Sequence, residues 1–98
     1  MTYYLSFTPS AKEDLLLLKE APNLQKRYNA VKKTLQFLIT NPKHPSLQTH
    51  QYHSLRGPDG EKIFEAYAEQ DTPAAYRIFF YYGSERGEIV ISAITPHP

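Results

Sequence analysis

Apolar and polar residues alternate along this chain with two periods. Leu24, Tyr28, Val31, Leu35 and Leu38 recur at three- and four-residue steps, the spacing that lines one face of a helix. They predict a helix over residues 23–40, stopped by Asn41-Pro42. Lys26 and Lys33 fall on its opposite face, with Arg27 and Lys32 at the flanks, a basic surface expected to be solvated. A shorter run, Ala11, Leu15 and Leu18, predicts an earlier helix. There Ser10 and Glu13 have capping-box spacing and Pro9 suits the entry. Ala21-Pro22 ends it, because the residue before proline avoids the α region.

The second period is two. TYYLSF (2–7) alternates Tyr3, Leu5 and Phe7 with Tyr4 and Ser6, and reads as a strand. Three more such runs close the chain: EKIFEAYAE (61–69), AAYRIFFYY (74–82) and GEIVISAI (87–94). Their links, DTP and GSERG, are short and rich in turn formers, so adjacent strands should be antiparallel. Between helix and strands, residues 42–60 carry Pro42, Pro45, Pro58, Gly57 and Gly60, and QTHQYHSL offers a short edge strand. The order predicts an α+β fold: an N-terminal strand and a two-helix hairpin packed on one face of a mainly antiparallel sheet of three or four strands. Residues 1–98 make a single domain.

Composition narrows the classes. Hydrophobic residues are 41% and charged residues 21%, which is ordinary for a globular chain and unlike a disordered one. The absence of cysteine excludes disulfides, thiolate chemistry and Cys-based zinc sites, and fits a reducing cytoplasm. MTYYLSFTPS has neither a basic n-region nor a long apolar run, and no stretch approaches 18 apolar residues, so neither a signal peptide nor a membrane span is expected. A net charge of +1 decides nothing about nucleic acid, since phosphate binding needs a local patch. Eight Tyr and five Phe without a Trp suit a half-wet binding face, and equally suit strands.

One side chain disturbs the greasiest run. In AAYRIFFYY, Tyr76, Ile78, Phe80 and Tyr82 share one face, and Arg77, Phe79 and Tyr81 the other. A face packed on helices should hold no unpaired arginine, so Arg77 is expected on the face turned away from them. Flanked by rings, it suits a phosphate with a neighbouring base; it equally suits an ion pair with Glu65 or Glu69 on the adjacent strand. Glu61, Glu65, Glu69 and Asp71 read as a solvated strand edge. His44, His50 and His53 have the spacing H-x5-H-x2-H, but with no cysteine and no H-E-x-x-H they read as exposed loop histidines, and neither metal nor cofactor is expected. His97, after the last strand, can reach the end of the sheet near Arg77 and could transfer a proton near neutral pH.

Several pieces in order carry a resemblance: "YLSFTPSAKEDLLLL", a second helix ending "LQFLITNP", then "HSLRG", "AYRIFFYY" and a last strand running into "ITPHP". Together they resemble the RelE/ParE superfamily of bacterial toxin–antitoxin systems over residues 3–97. The resemblance implies a cytoplasmic toxin that cleaves mRNA on the ribosome without metal, neutralised by an antitoxin. It makes Arg77 the phosphate clamp and His97 the general acid. His53, where one branch has an acidic residue, becomes the base. Arg56, Lys62 and Tyr81 become RNA contacts. The apolar face of the first helix, or the sheet edge, becomes the antitoxin dock. EKIFEAYAE departs from the enzymatic members, with only Lys62 among three glutamates. A non-enzymatic branch that inhibits DNA gyrase, and a degenerate member acting only through antitoxin binding, are the alternatives.

Overall fold

The first helix begins two residues earlier than its capping-box spacing predicts. Pro9 lacks an N–H and its φ suits the first helical position, so the cap falls on Thr8, whose Oγ1 accepts from Ala11 N at 3.1 Å. Ser10 is therefore inside the helix, not at its cap.

The computed structural model describes residues 2–97. In chain order they form β1 (Tyr4–Phe7), α1 (Pro9–Glu20), a 3-10 turn (Pro22–Leu24), α2 (Gln25–Thr40), a second 3-10 turn (Pro45–Leu47), β2 (His50–Arg56), β3 (Lys62–Tyr67), β4 (Tyr76–Tyr82) and β5 (Glu88–Pro96). Both helices end where proline was expected to end them: Ala21 N donates to Leu17 O, and Asn41 N to Phe37 O.

The strands make one five-stranded sheet in the order β1-β5-β4-β3-β2. β2 to β5 pair antiparallel, and β1 pairs parallel with β5 at one edge. The weak QTHQYHSL pattern is the opposite edge, β2, which brings the count to five. The last strand also runs past its predicted end, to Pro96.

The helices cover one face. Val31, Leu35 and Leu38 of α2 and Ala11 and Leu18 of α1 pack with Ala66, Ile78, Phe80, Ile89, Ile91 and Ile94. A slip of one residue helps place that last isoleucine. Phe79 pairs with Ala93 but Phe80 pairs with Ile91, leaving Ser92 as a bulge. An extra residue shifts the strand's alternation by one. Ile89 and Ile91 before the bulge, and Ile94 after it, therefore all reach the helical side.

The opposite face has its own small apolar cluster: Ile63, Phe79 and Tyr81, with Tyr52, Val90 and Ala93 against them. No helix described here covers it. Arg77 belongs to this open face, as the alternation predicts.

Candidate functional site

On the open face β3 and β4 pair so that Glu65 is opposite Phe79 and Tyr67 opposite Arg77. Glu65 and Arg77 are thus diagonal neighbours. Arg77 Nη1 donates to Glu65 Oε2. Glu65 is only 2% exposed, and the Arg77 side chain 13%. The expectation that Glu65 belongs to a solvated edge is overturned. Its strand is interior to the sheet, and its carboxylate is buried because an arginine meets it there. Of the two acids that could have paired with Arg77, the register selects Glu65. Glu69 binds Arg27 of α2 instead, at 2.8 Å. Arg27 also donates to the carbonyls of Pro73 and Ala74, at 3.3 Å each. Its expected solvation therefore gives way to anchoring the β3–β4 loop.

Two further groups converge on Glu65. Tyr67 donates to Oε1 at 3.4 Å. His50 of β2, paired with Glu65 in register, holds Nε2 2.8 Å from Oε1 and Nδ1 2.9 Å from Gln48 O. A carboxylate and a carbonyl only accept, so both contacts are hydrogen bonds only when both ring nitrogens carry hydrogen. Burial first, then the Glu65 carboxylate, push the Tyr67 phenol above its ordinary value, and Arg77 opposes them.

The guanidinium itself lies between rings, 4.8 Å from the Phe79 centroid and 5.9 Å from that of Tyr52, close enough for cation–π attraction. Its Nε is buried without a hydrogen-bond partner among the described residues. Beside it opens a hollow of about 490 Å³ with a floor of Ile63, Phe79 and Tyr81 and with Arg56 on its wall. Burial, with Glu61 next, raises the Tyr81 phenol above its usual value. The site is an aromatic basin in which the guanidinium of Arg77 is matched by a buried anion.

The other residues singled out by sequence are dispersed. His53 and Lys62 are exposed, and neither lines this hollow. His97 donates its backbone N–H to Ala75 O at 2.8 Å. It lines a second hollow of about 680 Å³ with Tyr67, Glu69 and Gln70. By strand alternation it follows Thr95, the partner of Arg77, by one row, roughly 7 Å along the sheet. The structure thus joins Arg77 to Glu65, His50 and Tyr67, and groups Arg56 and Tyr81 around the basin. Sequence reasoning named Glu65 only as one of two possible partners of Arg77, and missed His50. Glu65 shares a strand face with Ile63 and Tyr67, which was the available signal. Among the described residues no cluster of His, Asp and Glu could hold a metal ion. Among the described residues, too, no helix is long and apolar enough to cross a membrane.

No family model and no curated protein matches the sequence. Solved structures do match its shape. The RelE–RelB complex from Pyrococcus horikoshii OT3 is 16% identical over 98% of this chain and 96% of that one, with a TM-score of 0.66. A YoeB/ParE toxin from Agrobacterium tumefaciens gives 0.70 at 11% identity, covering 96% and 98%. The toxin–antitoxin complex RelBE2 from Mycobacterium tuberculosis gives 0.52 at 19% identity, covering 99% and 100%.

Proposed function

We propose that this chain, which has the RelE/ParE toxin fold, is the toxin component of a toxin–antitoxin pair and acts by binding a protein target, with DNA gyrase as the first candidate. The observation that carries the choice of binding over RNA cleavage is the Glu65–Arg77 ion pair. Cleavage by a ribose 2′-hydroxyl needs uncompensated positive charge at the phosphate. Here the basin's inward guanidinium already faces a carboxylate that is itself buried. An anionic ligand would have to displace that carboxylate, and leaving it buried and unpaired is costly. An aromatic floor of Phe79 and Tyr81 fits an apolar or aromatic group of a protein better than a phosphate.

The second reading is the ribosome-associated mRNA endoribonuclease. Arg56 on the wall of the basin, beside the rings, favours it, since stacked bases and a backbone cation suit single-stranded RNA. In that reading Arg77 leaves Glu65 to clamp the phosphate, His97 is the acid and His53 the base, with Lys62 and Tyr81 holding RNA.

Expression in a bacterium without the antitoxin, followed by primer extension on cellular mRNA and a supercoiling assay with purified gyrase, separates the readings. Arrested growth with intact mRNA is expected, with inhibited supercoiling if gyrase is the target. Cleaved mRNA that becomes intact in Arg77→Ala and His97→Ala would establish the nuclease instead. Unimpaired growth would remove the toxin role.

A further inference from the structure

All ten acidic residues of the chain lie outside residues 21–58, a stretch that holds six Lys or Arg. The near-neutral net charge therefore hides a strong local excess. α2 runs through the middle of that stretch. Its stripe of Val31, Leu35 and Leu38 is buried, and the ridge turned outward, Lys26, Asn29, Lys32, Lys33 and Gln36, is exposed. Lys43, just past the helix, is exposed too. Arg27 is bound to Glu69, but none of Lys26, Lys32, Lys33 and Lys43 forms an ion pair among the described residues. The two rings beside the ridge are already covered. His44 stacks on Phe37 with centroids 4.5 Å apart, and Lys33 Nζ lies 6.0 Å from the same Phe37 centroid. Lys32 Nζ is 4.6 Å from the Tyr28 centroid. The result is a helical ridge of unmatched cations and neutral amides.

We propose that this ridge binds the phosphate backbone of double-stranded DNA. Lysines without a protein partner release counterions when they meet phosphates, and Asn29 and Gln36 between them can donate to phosphate oxygens. Rings already covered by His44, Lys32 and Lys33 do not offer the stacking platform that a single strand needs. A convex helix fits the major groove of B-form DNA, about 12 Å wide, and is excluded from the deep, narrow one of an RNA duplex. A lipid surface would need the apolar side of the helix, and on α2 that side is buried in the core. The DNA-binding surface stands apart from the target reading. Its use, holding the chain beside DNA-bound gyrase, rests on that reading.

The test is fluorescence anisotropy of the intact chain with a labelled DNA duplex of about 20 base pairs and mixed sequence, over a series of salt concentrations. Affinity should fall with salt at a log–log slope of roughly −3, for three to four phosphates neutralised. Lys26→Gln/Lys33→Gln should bring that slope closer to zero by about 2. It should also weaken binding at low salt about tenfold or more, with an unchanged circular dichroism spectrum because both sites are exposed. A single strand of the same length and an RNA duplex should bind more weakly. No duplex binding, a slope that the lysine variant leaves unchanged, or a single strand or RNA duplex bound as tightly as DNA would overturn the proposal. So would phosphatidylserine vesicles bound more tightly than DNA. Affinity lost in Arg56→Gln/Lys62→Gln but kept in the α2 variant would place the DNA on the sheet and overturn it as well. Duplex binding by a chain that leaves gyrase supercoiling unaffected would sustain the surface and remove only the gyrase reading.

Discussion

Glu65 and Arg77, twelve residues apart in the chain, meet on the diagonal between β3 and β4 with both side chains largely out of water. Neither is a surface charge. Each is the condition for the other's burial, and the basin beside them takes its apolar character from that match.

A buried ion pair is worth little against an apolar replacement, yet removing one partner strands the other. Arg77→Met should therefore cost about 3 kcal/mol or more in urea unfolding, and Glu65→Leu/Arg77→Met should recover most of the loss. A double variant whose loss equals the sum of the losses of Arg77→Met and Glu65→Leu would show that the two groups are not coupled.

Releasing the guanidinium should change what the basin binds. Glu65→Gln should give the chain a measurable affinity for a short single-stranded RNA, falling steeply with salt, where the parent has little. Gel shifts at two salt concentrations check it. An unaltered affinity in Glu65→Gln would mean that the carboxylate does not hold Arg77 back.

The β3–β4 loop is tied to α2 through Arg27. Asp71 and Ala74 adopt positive φ values of 56° and 53°, a conformation that costs a residue with a Cβ roughly 1 kcal/mol or more. Arg27 offsets this with bonds to Glu69, Pro73 and Ala74. Arg27→Gln should lower stability by about 1–3 kcal/mol and speed hydrogen exchange at residues 70–76. Exchange confined to the neighbourhood of residue 27, with the loop amides unaffected, would refute the anchoring role.

Deleting Ser92 should be tolerated. The extra residue and the phase change of the isoleucines cancel, so without Ser92 plain alternation still turns Ile89, Ile91 and Ile94 to the helices, and only the bonds of Ser92 to Phe79 O and Thr8 Oγ1 are lost. A fall of more than about 3 kcal/mol in urea unfolding, the scale of an emptied core position, would contradict this.

Alkaline titration reads the tyrosines. Tyr67, Tyr81 and Tyr82 are raised above 10 by burial first. The Tyr4 phenol donates to Glu85 at 2.7 Å and is pushed up to about 12 chiefly by that bond. A folded state that holds phenolic protons more tightly than the unfolded chain is stabilised below pH 10 and loses that stability as pH climbs through the raised values. Absorbance at 295 nm should show a late ionisation that Tyr4→Phe removes, and Tyr67→Phe should flatten the fall in stability above pH 10.

Much of this was legible in local pattern. The stripe from Leu24 to Leu38 marked α2 because a helix repeats every 3.6 residues, and Arg77 was placed on the open face by alternation together with the cost of burying a lone charge. Even the bulge is written in EIVISAIT, where the isoleucines change phase after Ile91. The helix cap was misread because two capping signals, Thr8 before Pro9 and Ser10 before Glu13, stand two residues apart, and the proline decides between them.

What the sequence by itself determined is therefore each element, its buried face and the side of the sheet on which the arginine stands, because these follow from periods of two and 3.6 and from the cost of burying a lone charge. Only the tertiary structure decided that Arg77 meets Glu65 while Glu69 meets Arg27, that His50 rather than His53 joins them, and that β1 closes the sheet beside β5. Those are matters of register and long-range pairing, where a shift of one residue changes every partner and no local spacing records the choice.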